Sequence, residues 1–79
     1  MRAEVSMVDL VIHIDETLDE VRRRSLLTTV REAKGIIAVG YHNETPNLMI
    51  VVFDPKDIAS ADVLNLVKSA GVHAEFTGG

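Results

Sequence analysis

The sequence contains no cysteine. No disulfide can staple the fold, no thiolate can attack a substrate, and no thiolate metal site can form. Tryptophan is also absent, and there are only one tyrosine and two phenylalanines. The core must therefore be aliphatic, and stacking platforms for single-stranded nucleic acid are largely missing. An excess of positive charge is missing too. Eight Lys and Arg stand against twelve Asp and Glu, a formal net charge of −4, which argues against a phosphate-backbone binder. The one basic run, Arg22-Arg23-Arg24, is flanked by Asp19, Glu20 and Glu32 and reads as a solvated face. The longest early apolar segment, Leu10-Val11-Ile12, is far too short for a signal peptide or a membrane span. These absences lead to an expectation of a cytoplasmic chain with neither nucleic acid nor membrane as partner.

What is present is a chain of 79 residues, 47% apolar and 25% charged, an ordinary globular composition. Surface scaling lets a chain of this size bury about 60% of its extended surface, enough for one thin core. A single domain over residues 1–79 is expected, with an ordered core at about 7–77. A deep enzyme cleft is hard to build from so little material.

Val8, Leu10, Ile12 and Ile14 alternate with Asp9, Val11 and His13, the period-two pattern of a half-buried strand. Thr17-Leu18-Asp19-Glu20 reads as a capping box opening a helix that runs to about Lys34 and stops at Gly35. Its apolar positions are Leu26, Leu27, Val30 and Ala33; Arg22 and Arg23 fall near the same stripe, with stems expected to snorkel to water. Ile36 to His42 is a second strand, Asn43 to Asn47 a hairpin loop, and Leu48 to Phe53 a third strand, apolar at every position. Ser60 is expected to cap a second helix that ends near Ala70, with Val63, Leu66, Val67 and Ala70 on one face. Val72 to Phe76 is the last strand.

The order βαββαβ with right-handed crossovers predicts an α+β, ferredoxin-like sandwich. Both helices lie on one face of a four-stranded antiparallel sheet of order 4-1-3-2, and the other face has no helix to cover it.

The pattern Gly35-Ile36, Val39, Tyr41, Met49, Val51, Phe53, Asp54-Pro55, Ser60, Leu64 and Ala70-Gly71-Val72-His73-Ala74 resembles the heavy-metal-associated domain. That domain supplies copper chaperones and the soluble modules of metal-pumping ATPases. The resemblance spans roughly residues 8 to 77 and is stronger from Gly35 onward. It implies the family's fold. The family holds Cu(I) in a Met-x-Cys-x-x-Cys segment after the first strand. Here that stretch reads His13-Ile14-Asp15-Glu16-Thr17-Leu18-Asp19-Glu20, about two residues longer and without cysteine, so no metal ligand carries over. Soft Cu(I) takes thiolate or thioether, whereas Asp and Glu are hard donors.

Three histidines are the candidate transition-metal ligands. Strand parity sends His13 to the open face, and His73 and Glu75 likewise, while Val72, Ala74 and Phe76 point inward. His13 and His73 are expected as cross-strand neighbours about 5 Å apart. With Asp15 or Glu16 they would suit Zn(II), Ni(II) or Cu(II). The plainer alternative is a set of surface histidines at strand ends; a pH-sensitive interface is a third reading. The acidic cluster Asp15, Glu16, Asp19 and Glu20 reads as helix capping. Gly35, Gly40 and Gly71 are isolated, so there is no phosphate loop. No catalytic residue emerges, because no nucleophile is spaced with a base.

The open face is the other candidate. If Met49, Val51 and Phe53 face the helices, Leu48, Ile50 and Val52 face away, beside Val11 and the small residues Ala38 and Gly40. Burying four such side chains is worth on the order of 6–10 kcal/mol before entropic costs. Continuous apolar strands usually have both faces covered. The expectation is a non-enzymatic interaction module that forms a homodimer through Val11, Leu48, Ile50 and Val52, without Cu(I) and without a cofactor. An unidentified protein partner is the other occupant considered. The alternative function is a carrier or sensor of a divalent transition metal through His13, His73, Asp15 and Glu16.

Overall fold

A computed structural model describes residues 6–77. Strand β1 runs Val8–Ile14, helix α1 Glu20–Arg31, β2 Ile36–Tyr41, β3 Leu48–Phe53, α2 Ser60–Lys68 and β4 Ala74–Phe76. The sheet order is β2-β3-β1-β4, with every neighbouring pair antiparallel. This is the ferredoxin-like sandwich the element order predicts.

Side-chain parity explains the layering. On β1, Ile12 and Ile14 are buried; on β3, Met49, Val51 and Phe53 are buried. They meet Leu26 and Val30 of α1, Val63 and Val67 of α2, and Val72 just before β4. Among the described residues no polar side chain is buried, so the core is aliphatic apart from Met49 and Phe53.

Several boundaries differ from the sequence reading. The Thr17 capping box does not form. Asp19 is the N-cap, and its Oδ1 accepts the Arg22 amide at 2.8 Å. Asp is among the best N-caps, and starting there places Glu20 in the first turn, where its charge favours the positive helix end. Ser60 does not cap α2 either: it is already helical, and Ala59 is the N-cap without a side-chain bond. Helix α1 stops at Arg31 rather than Lys34, and α2 at Lys68 rather than Ala70. Strand β4 begins at Ala74, two residues late. Phe76 lies opposite Ile12, on the helix side by register, yet is 45% exposed, because the three-residue β4 is a sheet edge.

Strand β2 carries an irregularity that the alternation pattern does not show. Ile36 pairs with Phe53 and Ala38 with Val52, leaving Ile37 as an extra residue, 48% exposed. Such a bulge interrupts an edge strand. Gly35, entering β2, has φ 94. A Cβ there would lie 2.8 Å from Ile58 Cγ2, so glycine meets both a conformational and a steric requirement.

Candidate functional site

The loop from Asp15 to Asp19 joins β1 to α1 at one end of the sheet. It is fastened from two sides. From the β2–β3 hairpin, the Asn47 side-chain amide donates to the carbonyls of Ile14 at 2.6 Å and Glu16 at 3.1 Å. The Ile14 amide donates back to the Asn47 carbonyl at 2.8 Å. From the turn before β4, the His73 amide donates to Glu16 Oε1 at 2.9 Å, and the His73 ring Nδ1 lies 2.6 Å from Glu16 Oε2. The Asp15 amide donates to the His73 carbonyl at 2.9 Å. Both oxygens of Glu16 are therefore committed, and so is Oδ1 of Asp19.

The pair shifts both titrations. The His73 side-chain hydrogen bond, helped by the His73 amide, holds Glu16 below its ordinary value. The hydrogen bond from Glu16, reinforced by its charge, raises His73.

The four predicted metal residues do gather at this end, but in a different pairing from the expected one. In the ladder His13 lies opposite Glu75 and Leu48, not opposite His73. His73 stands beside Asp15, which makes the two histidines diagonal neighbours, a relation that separates residues by about 7–8 Å. The register that sets Ile12 opposite Phe76 carries His73 two residues past the position opposite His13. Each imidazole faces its own carboxylate: His13 Nδ1 sits 3.1 Å from Asp15 Oδ1, and His73 sits against Glu16. His42 lies past β2, and its Nδ1 accepts the Glu44 amide at 3.2 Å. Among the described residues no three His, Asp or Glu side chains converge as a metal cage.

Behind the loop, Arg23 lies over the Tyr41 ring, 5.8 Å from its centroid, and the Tyr41 hydroxyl donates to the Arg23 carbonyl at 2.8 Å. Arg23 is thus half-buried against an aromatic face. Burial also raises the Tyr41 phenol, with the Arg23 charge opposing. Ile14, Leu18, Tyr41 and Pro46 enclose about 40 Å³ here. That is room for water, well short of the several hundred Å³ that ligand pockets offer. Sequence reasoning missed Asn47 and the Arg23–Tyr41 contact. Asn47 has a turn composition signal and nothing that marks its reach across the sheet.

The second feature is the sheet face away from the helices. Its rungs read Ala38–Val52–Asp9, then Gly40–Ile50–Val11, then Leu48–His13–Glu75. Val11, Leu48, Ile50 and Val52 all lie on this face and are half-buried by one another. The apolar part covers β3 and its flanks; the charged residues collect on β1 and β4.

No family model matches the chain, and no curated protein does. Solved structures do. The copper-binding domain of HMA7, a P-type ATPase, is 18% identical over 89% of this chain and 93% of that one, with a TM-score of 0.79. Oxidized MerP from Ralstonia metallidurans CH34 is 11% identical over 92% of this chain and all 100% of that one, with a TM-score of 0.80. The yeast copper transporter domain CCC2A is 13% identical over 89% and 94%, with a TM-score of 0.76. The chain has the fold of the heavy-metal-associated domains, without a cysteine. No helix of the described residues is long and apolar enough to cross a membrane.

Proposed function

We propose that the chain is a non-enzymatic, cytoplasmic interaction module that keeps the heavy-metal-associated fold and associates with a second copy through its open sheet face. The observation that carries this reading is the unbroken apolar set Val11, Leu48, Ile50 and Val52 on a face with no helical layer. Water over such a surface is unfavourable, and a like face stacked at about 10 Å removes it.

Copper chemistry does not fit the loop. The stretch from Asp15 to Asp19 offers oxygen donors only, and Glu16 and Asp19 already use theirs on His73 and on the helix end. A soft cation has no thiolate or thioether to bind there. A divalent metal on His13 and His73 is the lesser reading, because a third ligand does not converge with them among the described residues.

Size sets the class of association. A face of four short strands spans roughly 20 Å by 20 Å, about 400 Å² per copy. Stable dimers bury about 800 Å² per partner, so a weak, transient pair is expected. Light scattering over a concentration series to about 1 mM reads it. The wild type should approach dimer mass, and Ile50→Glu should stay monomeric with an unchanged circular dichroism spectrum. A wild type that remains monomeric throughout would end this reading.

A further inference from the structure

Arg23 differs from the rest of its basic run. Arg22 and Arg24 are exposed, and Arg24 reaches Glu20 Oε2 at 3.4 Å. Arg23 is half-buried, with its guanidinium over the Tyr41 ring and no acidic partner among the described residues. A cation drawn partly out of water is ordinarily matched by an anion, because desolvating an unpaired charge is costly. The ring covers one face of the guanidinium. The N–H groups lie in the guanidinium plane, so the fork that takes an oxyanion by two parallel bonds is left open.

This fork borders an open groove of about 330 Å³ between α1 and the β2–β3 hairpin. Leu27, Tyr41 and Pro46 supply apolar walls, and Arg24 and His42 stand at the same groove as further donors. His42 Nδ1 accepts the Glu44 amide at 3.2 Å, so the neutral ring carries its proton on Nε2 and donates from there. Glu20 also borders the groove, where Arg24 holds its carboxylate. The volume is at the small end of the range for ligand sites, about 300–1,000 Å³, which suits one ring with a charged head.

We propose that this groove binds a small organic oxyanion, a carboxylate or phosphate carried on a flat apolar body. The head pairs with the open fork of Arg23, and the body rests against Leu27 and Pro46. Tyr41 positions the guanidinium: its hydroxyl donates to the Arg23 carbonyl at 2.8 Å, which fixes the ring against the side chain. Glu20 opposes the head, both by its charge and by occupying Arg24. Tyr41 packs against the core and so lies on the helix side of the sheet. The site therefore stands apart from the open face and does not depend on the association proposed above.

The test is an NMR titration of the whole chain with benzoate, phenyl phosphate, inorganic phosphate and benzyl alcohol. Amide signals of residues 23–27 and 41–43 should shift saturably with benzoate and phenyl phosphate, and the tighter of the two identifies the head. Inorganic phosphate should bind more weakly than phenyl phosphate, and benzyl alcohol should not bind. Arg23→Gln should weaken the better anion by about tenfold or more, the fold-change of one lost charge-assisted hydrogen bond. Glu20→Gln should tighten it. The proposal is overturned if neither organic anion shifts these segments, if benzyl alcohol binds as well as benzoate, or if Arg23→Gln binds like wild type. Inorganic phosphate binding as tightly as phenyl phosphate overturns the apolar body. Should Arg23→Gln lose the wild-type circular dichroism spectrum, Glu20→Gln decides: tighter binding supports the site, and unchanged or weaker binding ends it.

Discussion

Glu16 grips His73 at two points, amide and ring, across 57 residues of sequence. In a fold shared with copper-binding domains, this chain fastens the loop after β1 with its own carboxylate, its own imidazole and the Asn47 amide. The groups that hold the loop are all hydrogen-bonded to one another rather than held open for a ligand.

The pair should leave a pH signature. His73 is raised above its ordinary 6.5, so its contribution is complete below that value and fades as pH climbs through the higher folded value. Glu16 is lowered below 4.5, so its contribution is complete above that value and fades as pH falls through the lower folded one. The charged pair is therefore at full strength between 4.5 and 6.5. The melting-temperature gap between wild type and Glu16→Gln should be widest in that window and narrower on either side. An NMR titration should find the His73 imidazole above the ordinary value in wild type and closer to it in Glu16→Gln. The pair is exposed, so the gap will be small.

Asn47→Ala removes two bonds to half-buried carbonyls of the loop. A cost of about 1–3 kcal/mol is expected in denaturant unfolding. Hydrogen exchange should localise it: the Asp15 amide, which depends on loop position, should lose more protection than the Met49 amide in the central strand.

Two glycines with positive φ should respond unequally to alanine. Gly71, at φ 87, has open space where a Cβ would go, so Gly71→Ala should cost only the left-handed penalty, about 1–2 kcal/mol. Gly35→Ala adds a collision with Ile58 and Asp57 and should cost about 1–3 kcal/mol more. Chemical denaturation of the two variants side by side gives the difference directly.

Much of this fold is legible in the residues, and the reasons are physical. The alternation from Val8 to Ile14 fixes which face of β1 is buried, and the uniformly apolar Leu48–Phe53 leaves half its side chains without a helix to cover them. What periodicity cannot supply is registry between distant segments. The extra residue at Ile37 is invisible to an alternation count, because Ile36 and Ile37 are equally apolar. The register that sets Ile12 opposite Phe76 puts His73 beside Asp15 rather than opposite His13, and so within reach of Glu16. Thr17 and Asp19 are both residue types that cap helices, and backbone geometry selects Asp19. The Asn47 latch rests on a contact 31 to 33 residues away, which no local signal announces.

Strand β1 comes first among the described elements, yet it sits between β3 and β4, two of the last three. As the polypeptide leaves the ribosome, this strand lacks its β3 partner until residues 48 onward have followed it out. Its greasy side therefore waits unpaired while residues 15–47 are synthesised, and its pairing closes only by a long-range encounter.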